Sequence, residues 1–274
     1  MHPLLYNAAM RKLQRTIAIT AKSKERLHAV HVSSEQSQYG ITVAPYARGE
    51  VHLRIDDATE AEITVALEPH AHLTLLCSSV SLLPQHIVQR HAIGAGAELH
   101  AVVVVRGSAY THEVFSVVGG ENGKSTIDFL FVAQKNDRQR MTIQNTFRAP
   151  SGGGEITIHG IAEDHAHVAI DGKIEIGPKG RGTHTHLTQH VLMLDHTARV
   201  DAIPALEIRC NDVKASHSAT VSKVSEEDIF YASSRGISAT QARDLLVRGF
   251  LYEHLAHMPE SIRDRTERAL FTAH

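Results

Sequence analysis

Residues 154–176, GEITIHGIAEDHAHVAIDGKIEI, carry the pattern that decides the fold class. Branched aliphatic residues alternate there with polar ones, as Ile156 and Ile158 show. Alternation of this kind places apolar side chains on one face of a β-strand. The pattern continues outward in both directions, and turn-forming runs such as residues 119–123 interrupt it without a helical interval. We therefore predict a β core over residues 27–224.

Two architectures are compatible with so many short strands. One is a sandwich or barrel, and the other is a right-handed parallel β-helix, also called a β-solenoid. The low aromatic content of 5%, with no tryptophan, favours the solenoid, because stacked coils need interchangeable aliphatic residues inside. The sequence contains no strict repeat, so periodicity alone leaves both architectures open.

The N-terminal region has a different pattern from the core. Residues 3–17 place apolar side chains near a 3.6-residue period, which predicts a short amphipathic helix. The basic, polar residues that follow predict a linker. We therefore assign residues 1–26 to an N-terminal helix and linker.

The C-terminal region, residues 225–274, is predicted to be helical. Ser225 and Ser238 each precede an acidic or amide side chain by three residues, which is the pattern of a helix N-cap. Gly236 can adopt the left-handed conformation that ends a helix. Pro259 is suited to the first position of a third helix.

Composition excludes several classes of protein. The chain has 274 residues, a formal net charge of -2 and 42% apolar residues, which is ordinary for a globular protein. The nearly neutral charge argues against a nucleic-acid partner. We find neither a signal-peptide pattern nor a run of about 18 apolar residues, so we expect a cytoplasmic protein with no membrane association. The 21 histidines predict a melting temperature that falls between about pH 7 and 5.5.

Three histidines suggest a metal site. His184 and His186 share one face if they lie on a strand, and His190 follows four residues later. Three imidazoles can hold a divalent metal, so an alternative function is a cupin-type metalloenzyme. The two cysteines, Cys77 and Cys210, form no CxxC motif and are predicted to be structural.

A more specific pattern lies between residues 190 and 252. It includes PALEI at 204–208, DVKASHSAT at 212–220 and FYASSRGI at 230–237. These residues resemble the C-terminal core of the SufB/SufD family, the scaffold proteins of the SUF iron–sulfur cluster assembly system.

The resemblance implies a fold and a function. The expected fold is a right-handed parallel β-helix with C-terminal helices, and the expected function is that of a scaffold rather than an enzyme. The scaffold would form a homodimer, or a heterodimer with a longer paralogue, and an iron–sulfur cluster would bind transiently at the subunit interface. His217 matches the family histidine implicated in cluster assembly, whereas Ala215 stands where the family often has cysteine.

The resemblance also implies that a SufC-like ATPase binds the C-terminal helices. We predict that Arg235, Phe250, Leu251 and Tyr252 contact this partner. The helix after Ser238 carries two apolar stripes, which indicates two covered faces. One stripe includes Leu245 and Phe250, and the other includes Leu251.

Overall fold

The computed structural model describes residues 15–20, 27–35, 37–56, 58–81, 83–256, 258 and 260–271. In this part of the chain, sixteen strands precede three helices. The strands are β1 (Arg15–Ile19), β2 (Leu27–His31), β3 (Gln38–Val43), β4 (Arg48–Arg54), β5 (Glu60–Leu67), β6 (His72–Ser81), β7 (Gln85–Ile93), β8 (Glu98–Gly107), β9 (Ala109–Val118), β10 (Lys124–Ala133), β11 (Arg138–Phe147), β12 (Gly153–Ala162), β13 (His167–Ile176), β14 (Thr183–Met193), β15 (Arg199–Ile208) and β16 (Val213–Lys223). The helices are α1 (Glu226–Ser234), α2 (Ala239–Leu255) and α3 (Glu260–Phe271).

The strands form two parallel sheets. The odd-numbered strands make sheet A and the even-numbered strands make sheet B, each in sequence order. Every strand therefore pairs with the strand two positions away, and the chain completes one coil with every two strands. This arrangement confirms the predicted parallel β-helix and excludes a sandwich or an up-and-down barrel, which are built mainly from antiparallel strands.

The interior of the β-helix is a stack of side chains in register. Val103, Phe129 and Ile158 occupy equivalent positions on three successive strands of sheet B, and all are fully buried. The expected aliphatic interior is present, but it also accommodates large rings, since Phe131 and Phe147 are fully buried as well. The few aromatic residues of the sequence are thus partly concentrated in the core.

The N-terminal prediction is wrong where the structure describes it. Residues 15–17 belong to strand β1 instead of a helix, and Ile17 pairs with Ile41 of β3. Ile19 is only 1% exposed, so β1 extends the apolar stack of the coils. The coils therefore begin upstream of residue 27. Residues 3–14 of the predicted helix lie outside the described residues.

The first two C-terminal helices have the predicted caps, whereas Pro259, predicted to open the third, lies outside the described residues. The Ser225 hydroxyl accepts hydrogen bonds from two backbone N–H groups in the first turn of α1. Ser238 and Gln241 form a reciprocal capping box at the start of α2. Gly236 has a φ of 84° between the two helices, in the left-handed region that glycine tolerates. None of the described helices is long and apolar enough to cross a membrane.

Candidate functional site

The last coil of the β-helix ends in two edge strands, β15 and β16. Within the described residues, no further strand pairs with either of them. Ile208 and Val221 stand in register with Ile176 and Val191, which are fully buried inside the preceding coil. Ile208 and Val221 are nevertheless each 42% exposed. Because one coil normally covers the inward side chains of the next, this open end presents apolar surface suited to an interface.

His217 lies at this open end. It stands in register with Leu187, a fully buried inward residue, so its imidazole continues the inward row of β16. The side chain is exposed because no coil lies above it in the described structure. Its neighbours in the same row, Ala215 and Ala219, are small and leave the ring accessible. An exposed imidazole in this position can ligate a metal ion.

The two cysteines differ in accessibility. Cys77 is buried inside the β-helix, and burial raises the pKa of its thiol to about 12. This thiol is therefore protonated at neutral pH and is a poor metal ligand. Cys210 is half-buried and lies in the turn between β15 and β16, on the same coil as His217.

The three histidines of the cupin hypothesis do not form one site. They share the outward side of β14, but His186 Nδ1 lies 2.7 Å from Ser216 Oγ, whereas His190 packs against Phe250 with a ring separation of 4.7 Å. A strand rises about 3.3 Å per residue, which separates His186 from His190 by about 13 Å. His184 is exposed at the start of the strand. A cupin is moreover an antiparallel jelly roll, so the parallel sheets show the cupin hypothesis to be wrong.

Helices α2 and α3 cover part of the outer face of sheet B. Their buried apolar residues pack on outward-facing residues of the sheet in one cluster, which contains Leu76, Val102, Val104, Leu130, Ile161, Leu192, Leu194, Leu251, Leu255, Met258, Ile262 and Leu270. Leu251 is 0% exposed. This corrects the predicted role of Leu251, whose side chain holds α2 on the sheet and offers no surface to a partner.

The other predicted partner residues differ in exposure. Tyr252 is 39% exposed, and its hydroxyl donates a hydrogen bond to Glu267 of α3. Phe250 of α2 is half-buried, and its ring packs against His159 and His190 of sheet B. Arg235 is exposed, and its guanidinium lies 5.2 Å from the centre of the Tyr231 ring. Arg235 and Tyr252 are therefore available to a partner.

The most exposed apolar residues of the helices are not among the predicted partner residues. Phe230 and Tyr231 on α1 are 75% and 62% exposed, and Leu245 on α2 is 57% exposed. Helix α1 buries none of its residues. Exposed apolar residues that occur together often mark an interaction surface. Phe230 and Tyr231 were already part of the SufB/SufD-like block, and that signal could have identified them.

Comparison with known families agrees with this fold. The sequence model of the family described as "SUF system FeS cluster assembly, SufBD core domain" matches residues 20–250. The match therefore covers most of the β-helix and continues into α2.

Curated relatives carry similar descriptions. An iron-sulfur cluster assembly SufBD family protein of Staphylococcus saprophyticus is 27% identical over 221 residues, which are 80% of this chain and 46% of the relative. Similarly described proteins of Staphylococcus epidermidis and Staphylococcus aureus are 26% identical over the same shares of the two chains. The chain thus spans just under half the length of the curated relatives it matches.

Proposed function

The chain belongs to the SufBD core-domain family, and from this premise we propose that it acts in iron–sulfur cluster assembly as a scaffold subunit. In this proposal it pairs through the open end of its β-helix and binds a SufC-like ATPase through its C-terminal helices. The observation that carries this proposal is the uncovered last coil. It combines exposed inward apolar side chains with the accessible imidazole of His217.

The partner at the open end is a second copy of this chain. When two such ends pair, Ile208 and Val221 of each copy are removed from water, which favours association. The net charge of the chain is only -2, so electrostatic repulsion between two copies is weak. Pairing also brings two His217 side chains to one interface. The nascent cluster is the cargo held there.

Position 215 carries alanine instead of cysteine, so cluster binding at this interface needs other donors. Thiolates are the usual ligands of iron–sulfur clusters, and histidine replaces them in a minority of sites. Ala215 supplies no donor, so His217 is the first candidate ligand. Cys210 is the second, because its thiol lies on the same coil and is less buried than that of Cys77.

Sedimentation of purified Val221→Asp protein tests the pairing. A buried carboxylate in an apolar interface should weaken association by about 2 kcal/mol or more, which is at least about thirty-fold in the dissociation constant. Ser218→Asp is the matched control, because Ser218 is exposed on the same strand but faces outward. Equal dimerisation of both variants would show that the open end is not the interface. If the wild-type protein is monomeric and associates only with a longer SufB/SufD-type chain, the pairing is a heterodimer and not a homodimer.

Reconstitution with iron and sulfide tests the role of His217. We expect His217→Ala to lose most of the cluster absorbance and bound iron while its circular dichroism stays unchanged, because the side chain is exposed and contributes little to the core. Cys210→Ser should reduce loading as well. Unchanged loading in both variants would remove the open end as the assembly site.

Co-purification tests the binding of the ATPase. Phe230 and Tyr231 are the anchors that α1 exposes, so Phe230→Asp should abolish capture of a SufC-like ATPase without loss of helix content. Lys223→Asp is a control just before the helices, at the exposed end of β16. If Phe230→Asp captures the ATPase as well as the wild type does, the docking surface lies elsewhere.

A further inference from the structure

A buried polar cluster lies beneath α2, on the outer face of sheet B. Its centre is Asp128 of β10, which is 7% exposed. His100 Nε2 of β8 lies 2.6 Å from one carboxylate oxygen, and His254 Nε2 from the last turn of α2 lies 3.1 Å from the other. Two imidazoles thus meet one buried carboxylate.

His159 of β12 lies beside His254, the second histidine that contacts Asp128. It is 8% exposed, and neither of its ring nitrogens has a hydrogen-bond partner. A buried polar atom without a partner is energetically costly, and an ion or water often explains such an atom. An imidazole with both nitrogens unpaired is therefore a strong indication of a missing ligand.

The imidazole rings are spaced as they would be around one metal ion. The ring centre of His159 lies 4.8 Å from that of His254 and 5.1 Å from that of His190. Two imidazoles bound to one zinc ion at about 2.1 Å place their ring centres about 4.5–5.3 Å apart for tetrahedral to octahedral angles. Both observed separations fall in that interval.

Phe250 encloses the cluster on one side. Its ring meets His159 and His190 edge-on, at 5.1 and 4.7 Å. An apolar cover lowers the local dielectric and strengthens the attraction between an ionised carboxylate and a cation.

We propose that Asp128, His159 and His254 bind one divalent transition-metal ion of the Zn²⁺ or Fe²⁺ class, with His190 as an adjoining donor. Two imidazoles and one carboxylate are a common donor set for such ions. His100 orients the carboxylate through its 2.6 Å contact. The donor atoms of Asp128, His159 and His254 do not all lie within 4.8 Å of one another; among the described residues, only the carboxylates of Glu163, Asp164 and Asp195 do. Metal binding at the proposed site therefore requires rotation of the imidazole rings about the broad χ2 torsion, which brings their nitrogen atoms together.

The site would join parts of the chain that are far apart in sequence. His254 belongs to α2, whereas Asp128 and His159 belong to sheet B. A bound ion would therefore fasten the C-terminal helix to the β-helix. Its occupancy is independent of His217 and of the open end.

Metal titration of the full chain tests this proposal. Protein freed of metal with a chelator is titrated with Zn²⁺ by calorimetry, and with Co²⁺ by visible absorption. We expect one tight equivalent per chain, with Co²⁺ bands that lack a thiolate charge-transfer component. Zn²⁺ should also raise the melting temperature and slow amide exchange in α2, because the ion binds the folded state.

Variants assign the donors. His159→Gln and His254→Gln should each weaken the tight equivalent at least about a hundred-fold, whereas His100→Gln should weaken it about ten-fold, as expected for a residue that orients a ligand. His165→Gln, an exposed residue in the turn after β12, and His217→Ala should both keep full affinity. The His217 control separates this site from cluster assembly at the open end.

Two results would overturn the proposal. One is full affinity in both His159→Gln and His254→Gln, and the other is Zn²⁺ binding no tighter than that of exposed histidines. If either variant fails to fold, paramagnetic broadening by Co²⁺ in the wild type decides. Broadening centred on the amides around Asp128, His159, His190 and His254, in β8, β10, β12, β14 and α2, supports the site, and broadening centred elsewhere refutes it.

Discussion

Two buried histidines should make the β-helix sensitive to acid. His91 and His112 project into its interior and are 3% and 0% exposed. His91 Nε2 lies 3.2 Å from the Gln89 amide oxygen, and His112 Nδ1 lies 2.6 Å from the Tyr110 hydroxyl. Burial lowers the pKa of both imidazoles to about 3, because the charged form is poorly solvated there.

The sign and size of the effect follow from proton linkage. An unfolded histidine has a pKa of about 6.5, so below that pH the unfolded state binds protons that the folded state excludes. This stabilises the unfolded state by about 0.2 kcal/mol per histidine at pH 7 and by about 1.4 kcal/mol at pH 5.5. Since both folded pKa values lie far below 5.5, the two histidines together should remove about 2.5 kcal/mol of stability across this interval. The melting temperature should fall by about 4 °C, because a chain of 274 residues has a large unfolding entropy.

His91→Asn isolates the contribution of one histidine. Asparagine suits this position because Asn145, two coils further along the same inward column, is fully buried. We would measure unfolding by urea at pH 7 and at pH 5.5. The loss of stability between the two pH values should be smaller by about 1.2 kcal/mol in the variant than in the wild type, whatever the stability of the variant at pH 7.

The control for this measurement is His165→Asn, since His165 is exposed. It should leave the pH dependence unchanged. If His91→Asn loses as much stability between pH 7 and 5.5 as the wild type does, the reasoning from burial is refuted.

Three further substitutions test the packing of the structure. Leu251→Ala should destabilise the helix–sheet layer by about 2–5 kcal/mol, and hydrogen exchange should show faster opening of α2; unchanged protection would mean that the layer does not depend on this residue. Ser238→Ala removes the capping box of α2 and should lower the stability of that helix by about 1 kcal/mol in thermal unfolding, whereas a neutral result would show that the cap is replaced by water. Gly160→Ala places a Cβ atom within 2.1 Å of the Phe131 ring and should cost about 1–3 kcal/mol in urea unfolding; a stable variant would show that the ring can move aside.

Much of the fold is encoded locally. The alternation around Ile156 and Ile158 predicts strands because the period of a strand is two residues, and Ser225, Ser238 and Gly236 mark helix ends through hydrogen bonds and φ values of the local chain. None of these signals depends on distant residues. The same local rule misled at residues 15–17, where strand pairing with β3 outweighed a weak helical period.

The role of each apolar stripe of α2 could not be predicted in this way. Leu245 and Leu251 belong to two stripes of similar character, yet Leu245 is 57% exposed and Leu251 is 0% exposed. The difference arises from the outer face of sheet B, where Leu130 and Ile161 provide an apolar surface for Leu251. Which stripe is covered depends on surface contributed by strands about a hundred residues away.

The sequence by itself determined the β-rich core, the helix caps and, through the block around His217, the family. Only the tertiary structure decided that His217 continues an inward row yet stays exposed, because that depends on the absence of a covering coil among the described residues. Only the tertiary structure brought His159 to His254, ninety-five residues further along the chain. Local periodicity and caps come from interactions between near neighbours, whereas a surface or a cluster of side chains exists only once coils have stacked and helices have packed on them.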